Sequence, residues 1–512
     1  ASGQNTSLED LKWITDWHLI HGFNLINSHL SLYSMRGCRK RDWPPNIFFQ
    51  QPYWPYMKEL SDYIARGCYA VSQGEPNTDI LLLHPLESGW LRFRPTDRTR
   101  VKELNDRFVQ VIEALLGDQR MFDLGDERIM SRHASVQGNK LIVGRQVYRI
   151  VIVPPCDTLR ASTIKLLKQF AEAGGSLIWL DAVPSLVDGR QSEAARELGF
   201  TGEVVPAAKL IPHLSDVLPR AVRVVRPGTD YANEDQGLIR DVRVHVRTVN
   251  GKLTVFLANN SRDTAYDAEV RVPAGRVTLW DLETGVAQDL STETAGKDVS
   301  FRYRFEGAGS CLLTIDPDAP PVTAPAPRAH SAVWEGTLPS FWQVKRLQPN
   351  ALTLDMCQVK IEGHADWSEP LYTVLAMRTL WEEKKAFSIR HTFVLDEIPA
   401  WLHLVMEEPG HYTIWCNGTE LTSDRQRGPW LDWSFTRIDI SDLVRVGTNE
   451  IVYSGTYQDD SLLHELNYRY MERQGLTYDP TAEVGKSTEV EAVYLIGDFG
   501  VWPGGEASFR IG

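Results

Sequence analysis

The sequence predicts a multidomain fold, α/β in its first half and all-β in its second. Three observations predict it. At 512 residues the chain is too long for one hydrophobic core, so three or four domains are expected. Apolar runs alternate with amphipathic helical stretches over roughly 75–190, the pattern of a doubly wound parallel sheet. From about Val242 the alternation has period two and is purely β.

The first element is a helix. Thr6-Ser-Leu-Glu9 reads as a capping box, with Thr6 as N-cap and Glu9 three residues on. The helix carries Leu8, Leu11, Ile14, Leu19 and Ile20, and Gly22 stops it. Phe23 to Asn27 then reads as a short strand ending in Ser28 and His29. Helix, glycine, apolar strand and polar tip make one αβ unit of a β/α barrel. A long loop, Ser34 to Asn46, follows it, and a second helix over 55–73 carries Leu60, Tyr63, Ile64 and Tyr69.

Asp79 to His84 is a continuous apolar run before a proline, which predicts a buried parallel strand. Arg98 to Leu116 is a long amphipathic helix. Phe122–Asp126, Tyr148–Val153 and Ser176–Leu180 are further strands, and Ser162–Ala173 is a helix closed by Gly174-Gly175. Cys156 follows a strand, but Pro154-Pro155 precede it and no Gly-Cys-Gly elbow surrounds it, which argues against a nucleophile.

In the β half, Val242, Val244 and Val246 alternate, and Leu253–Ala258 and Val277–Leu282 are strands. Asp316 to Pro327 is a linker, because its prolines preclude continued sheet pairing. Further on, Tyr412, Ile414 and Cys416 share one strand face and run into Asn417-Gly418, the strongest short hairpin signal. Ile438 and Ile440 mark a second strand. Asp442 is placed to start a helical turn that Gly447 ends, and Asn449–Tyr453 returns as a third strand. Strands continue to Val493–Gly500, and no internal repeat is visible.

Composition excludes several function classes. Apolar content of 43% and charged content of 24% are those of an ordinary globular protein. A net charge of -13 argues against nucleic-acid binding, which needs a basic surface. Six scattered cysteines without a CxxC pair argue against zinc and against a disulfide framework. No apolar run is long enough to span a bilayer. The chain opens without an initiator Met or a visible signal peptide, so it reads as processed or cut from something longer. Cytoplasm, periplasm and the outside all stay open as its compartment. Sixteen Trp residues suit sugar C–H faces as well as β-domain cores.

Four stretches resemble known families. The order strand, Asn417-Gly418, strand, Asp439-Ile-Ser-Asp-Leu-Val, Gly447-Thr-Asn-Glu-Ile resembles the sugar-binding, galactose-binding-like jelly roll of glycoside hydrolase family 2 and its relatives. Ser2-Gly-Gln-Asn-Thr-Ser-Leu-Glu-Asp-Leu, Gly22-Phe-Asn-Leu-Ile-Asn-Ser-His and Gln50-Gln-Pro-Tyr-Trp-Pro resemble the close of the catalytic barrel in large bacterial glycosidases, nearest the family 106 α-L-rhamnosidases. The strand–helix alternation after them resembles a flavodoxin-like, class I glutamine amidotransferase-like domain, and Phe256-Leu-Ala-Asn-Asn-Ser resembles the start of a small β-sandwich beside such barrels. The implied organisation is 1–74 as the end of the barrel, 75–240 as the amidotransferase-like domain, 241–316 as the sandwich, 317–330 as linker and 331–512 as the jelly roll.

The resemblance implies an exo-acting glycoside hydrolase of plant or microbial polysaccharide. Such enzymes need two carboxylates about 5–9.5 Å apart, at the C-terminal ends of barrel strands. The family's catalytic Glu would precede Ala1, and a whole barrel needs about 250 residues, so the expectation is a fragment without its catalytic pair. Asp42 is the one candidate carboxylate, although an Asp before Trp-Pro-Pro also caps turns. His29, Tyr33, Trp43, Tyr53 and Trp54 are candidate sugar contacts at the barrel rim, each with packing as its alternative. Arg39-Lys-Arg41 reads as a solvated or ion-paired run, or as a clamp for an acidic sugar. In the jelly roll, Trp430 and Trp433 flank a Gly-Pro turn and are the candidate stacking pair. No metal-ligand spacing is visible; calcium, held in the barrel, is implied by the resemblance alone. The partner expected is an oligo- or polysaccharide, with neither nucleic acid nor membrane. The rival functions are a non-catalytic carbohydrate-binding protein and an amidotransferase-like enzyme.

Overall fold

The computed structural model describes residues 6–28, 31–40, 47–198, 201–231, 234–322, 336–458, 471, 488–503 and 509–511. They fall into two compact units. One comprises 7–27 and 56–330, the other 1–6, 28–55 and 331–512.

The first unit contains a five-stranded parallel sheet. Its strands run Glu203–Val205, Ser176–Leu180, Ile150–Val153, Ile80–Leu83 and Phe122–Gly125 in spatial order. Alternate residues of each strand enter different cores. Leu81, Leu83, Val151 and Val153 meet Ile164, Leu167 and Phe170 of helix Ala161–Glu172. Ile80, Leu82, Ile150 and Ile152 meet Phe108, Val111 and Leu115 of helix Thr99–Gly117. Burial on both faces explains why these strands read as unbroken apolar runs.

The same unit holds a β-sandwich of a six-stranded and a four-stranded sheet. Val255 and Leu257 point into its core with Val270, Val272 and Phe305. Phe256 and Ala258 point the other way, as strand pleating requires. Helices α1 (Leu8–Ile20) and α2 (Met57–Ser72) cover that outer face, burying Leu19, Ile20, Tyr63 and Val71 against Phe256, Ala258 and Leu312. A buried polar knot fixes α1. Lys12 donates to Asp16 at 2.7 Å, to the Ala308 carbonyl at 2.9 Å and to Ser310 at 3.0 Å, and the Tyr63 hydroxyl donates to Asp16 at 2.6 Å.

Three sequence expectations change here. The N-cap is Ser7, whose hydroxyl accepts from Asp10 N at 3.1 Å while the Asp10 carboxylate accepts from Ser7 N at 2.8 Å. Asp at the third helical position closes the box as well as Glu would, one residue later than Thr6 and Glu9 suggest. Phe23–Asn27 is not a strand: it has no sheet partner among the described residues, and Leu25 is 85% exposed. Tyr69, at helical spacing, also lies on the exposed side of α2.

The second unit is a β-sandwich built from residues 350 onward. Its five-stranded sheet orders Asn350–Leu354, Val493–Gly497, Leu402–Glu407, Asp432–Asp439 and Gln426–Trp430. Its eight-stranded sheet is centred on Ala386–Leu395 and Gly447–Thr456, flanked by Met356–Ile361 and Thr413–Cys416. Ile389, Leu404, Ile414, Cys416, Ile438 and Ile451 fill the space between them. Asn417 and Gly418, both at positive φ (49° and 84°), turn Thr413–Cys416 into Thr419–Glu420, as the Asn-Gly signal predicts. The expected helical turn at Asp442 is a turn over 441–443 instead. Asp439 starts it, accepting from Ser441 N at 3.1 Å and from its hydroxyl at 2.7 Å.

Cys68, Cys156, Cys311, Cys357 and Cys416 are free thiols. No helix among the described residues is long and apolar enough to cross a membrane.

Candidate functional site

The candidate site lies in the second unit, where a strap of residues 31–40 crosses the outer face of the five-stranded sheet. That face carries Val405, Phe435 and Ile496, and Met35, Trp401, Trp430 and Tyr494 pack over them. The strap is held along its length by carboxylates. Ser34 donates its hydroxyl to Asp432 at 3.1 Å and Met35 its N–H at 2.9 Å. Arg36 pairs with Glu408 at 2.8 Å, and the Gly37 N–H donates to Glu407 at 2.7 Å. Lys40 ends the series, paired with Glu407 and, at 3.0 Å, with Glu491. Gly37 has φ 58°, and a side chain there would run into the Glu489 carboxylate.

Asp432 is the centre of this arrangement. Burial pushes its pKa up, but hydrogen bonds from Ser434 N, Met35 N and the Ser434 and Ser34 hydroxyls outweigh burial and hold it below the usual carboxylate range. Ser434 alone supplies bonds of 3.0 and 2.7 Å. Glu407 differs: burial dominates and raises its pKa, with Lys40 opposing and Glu491 reinforcing the rise.

Trp430 and Trp433 do not sit on a loop. They belong to strands Gln426–Trp430 and Asp432–Asp439, joined at Leu431 in the left-handed region (φ 60°). Gly428 (φ 80°) and Pro429 shift the register between the two strands, and that irregularity is what the sequence presents as a turn. The two rings have different surroundings. Trp430 is half-buried, tilted against Tyr494 with centroids 5.7 Å apart, whereas Trp433 is 90% exposed. Tyr33, beside Ser34, is 98% exposed. Gln50 donates its amide to the Leu431 carbonyl, bringing the segment of Tyr53 and Trp54 to the same hairpin tip. The Tyr53 hydroxyl is buried and pushed up in pKa by that burial, while Trp54 is partly exposed.

Two groups of aromatic candidates, nearly four hundred residues apart in sequence, therefore meet around Asp432. Asp432 and Glu407, which join them, are not apparent in the sequence; only the Trp-Leu-Asp-Trp spelling marks the former. His29, Asp42 and Trp43 lie outside the described residues. Within the basic run, Lys40 is spent on internal ion pairs. No group of three or more His, Cys, Asp or Glu able to hold a metal ion occurs among the described residues.

The chain matches no protein-family model and no curated protein. Solved structures do match it. The likeness is to glycoside hydrolases. A rhamnosidase from Novosphingobium sp. PP1Y is 14% identical, over 96% of this chain and 46% of that one, at a TM-score of 0.43. An exo-carrageenase GH42 from Bacteroides ovatus is 13% identical, over 62% of this chain and 40% of that one, at 0.36. An α-L-fucosidase from Paenibacillus thiaminolyticus is 11% identical, over 61% and 57%, at 0.35. The chain thus spans about half the length of the structures it matches. At scores and identities this low the match is a likeness of architecture and carries no argument about chemistry.

Elsewhere, Cys156 follows the parallel strand Ile150–Val153 and is half-buried. Burial, with Glu127 and Asp157 nearby, pushes its thiol far up, so the thiolate a nucleophile needs is disfavoured.

Proposed function

We propose that this chain is part of an exo-acting glycoside hydrolase of plant or microbial polysaccharide, and that its second unit holds glycan without cleaving it. The observation that carries the reading is the exposed aromatic rim at Asp432. Trp433 and Tyr33 present ring faces to solvent on a hairpin and a strap that four hydrogen bonds to one carboxylate hold in place. Rigid exposed rings are apolar platforms for sugar C–H faces. The Gly-Gln-Asn and Gln-Pro-Tyr-Trp resemblances to glycosidase barrels support the same class. Hydrolysis needs one carboxyl to give a proton and another to attack or activate water. Around this rim Glu407, Glu408 and Glu491 are engaged by Arg36 and Lys40, which favours a holding role.

A second reading is a carbohydrate-binding protein with no hydrolase attached, which the exposed Trp433 and Tyr33 rings would serve equally. The amidotransferase-like reading is disfavoured by the upward-shifted Cys156 thiol and the absence of a Gly-Cys-Gly elbow around it. The test is a nitrophenyl glycoside assay run beside a glycan-binding panel. Binding without turnover is the expected result. Steady turnover by this chain would overturn the holding role.

A further inference from the structure

The eight-stranded sheet of the second unit has a trough across its outer face. Its floor is one row of register partners: Lys360 opposite Ser388, Ser388 opposite Ser454, and Ser454 opposite Thr413. Their neighbours Ile361, Ile389, Tyr453 and Ile414 are buried in the core, so the row faces outward. Ser388 and Ser454 share a hydrogen bond of 2.7 Å. The next row is taller. Arg390 bonds Gln358 at 2.6 Å and lies 4.5 Å from the Trp367 ring, and Trp415 stands opposite Val452.

Two cavities open along this row. One, of about 630 Å³, lies at the Thr413 end beneath Glu408, His411 and Arg36. The other, of about 400 Å³, lies at the Lys360 end beside His364. Both are lined by Ser454, Gly455 and Thr456, so they adjoin at the end of that strand. A third hollow of about 390 Å³ shares His364 and extends to Trp367. Four strands side by side make the floor about 14 Å long.

We propose that this trough binds a neutral oligosaccharide in extended form, as a second glycan site distinct from the Trp433 and Tyr33 rings, its Thr413 end meeting the strap at Arg36. The proposal rests on the carbohydrate reading above. Three of the four floor positions, Ser388, Ser454 and Thr413, carry small hydroxyls that give donors and acceptors without blocking the groove, which suits a ligand that is itself rich in hydroxyls. The lining sets Arg36 and Lys360 against Glu362, Glu407, Glu408 and Glu489, which disfavours a polyanion. A protein partner would call for an apolar centre, which a floor of Ser and Thr lacks. A floor about 14 Å long fits several linked sugars better than one.

The experiment is calorimetric titration of the whole chain with neutral monosaccharides and with hexasaccharides of plant and bacterial glycans. Two variants fill the groove from outward positions, Thr413→Trp and Ser388→Trp; a third, Trp433→Ala, alters only the rim. Thermal melts check that each folds, and either filling variant suffices. The trough predicts hexasaccharide binding at least tenfold tighter than monosaccharide binding, weakened at least tenfold by filling and retained in Trp433→Ala. Hydrogen exchange at 386–390 and 452–456 should slow on adding hexasaccharide. Hexasaccharide binding that ignores both filling variants but is lost in Trp433→Ala overturns the trough and keeps the carbohydrate reading. Absence of binding to any saccharide by the unaltered chain overturns both.

Discussion

Ser34 donates its hydroxyl to the Asp432 carboxylate at 3.1 Å, across 398 positions of sequence. With the Met35 N–H at 2.9 Å, this contact pins one strap to one hairpin tip and so sets Tyr33 beside the strand of Trp433. Asp432→Ala removes the acceptor for both and for Ser434. Hydrogen bonds to a charged partner contribute about 1.5–3 kcal/mol each, with partial redundancy between them. The second unit should therefore lose about 2–3 kcal/mol. Hydrogen exchange over 31–37 should rise sharply, and Ser34→Ala should give a smaller version of the same change.

Gly37 gives an independent test of the strap. Its φ of 58° is left-handed, and an added Cβ meets Glu489. Gly37→Ala should cost about 1–2 kcal/mol through strain and the displaced carboxylate. Denaturant unfolding of the second unit measures it.

Asp16 is buried, and its pKa is raised by that burial against the opposing Lys12. Lys12→Met leaves the carboxylate without its counter-charge, a change that typically costs about 3–5 kcal/mol. Tyr63→Phe removes one hydrogen bond and should cost only about 1 kcal/mol. Thermal unfolding of the first unit should rank the two in that order.

Glu127 sits at the carboxyl end of the parallel sheet, accepting from Arg160 N at 2.7 Å. Burial, with Glu87 nearby, raises its pKa from 4.5 to about 7. Between those values the folded chain keeps a proton that the unfolded chain has lost. Its contribution is thus full below about pH 4.5 and is lost as pH rises through about 7. A shift of that size corresponds to at most about 3 kcal/mol. Glu127→Gln should remove this part of the pH dependence, making the first unit more stable than the unaltered chain at pH 8 and little changed at pH 4. Equal effects at both pH values would contradict the assignment.

Sequence carried local structure well and long-range structure poorly. Ile80–Leu83 and Ser176–Leu180 are legible because burial on both faces leaves only apolar residues, and Asn417-Gly418 because its turn demands positive φ at both positions. Phe23–Asn27 looks like a strand because apolar residues suit strands, but hydrogen-bonding neighbours decide, and those are not in the local sequence. Trp430 and Trp433 look like a loop pair because Gly428-Pro429 signals a turn, whereas pairing with Asp432–Asp439 tolerates the break as an irregularity. The approach of Tyr33 to the strand of Trp433 had no local signal at all: it depends on a carboxylate whose partners lie hundreds of residues away.

The central claim, glycan held at the Asp432 rim, is tested most directly by calorimetric titration of monosaccharides and short oligosaccharides into the chain and its Trp433→Ala variant at matched folding. One ring stacked on one sugar is weak, so a Kd on the order of millimolar is expected, about -4 kcal/mol. The account predicts that monosaccharide binding disappears in Trp433→Ala while the melting temperature stays within a degree or two, as suits a side chain that is 90% exposed. Unchanged monosaccharide affinity in that variant, or a large loss of stability with no binding by the unaltered chain, would contradict it.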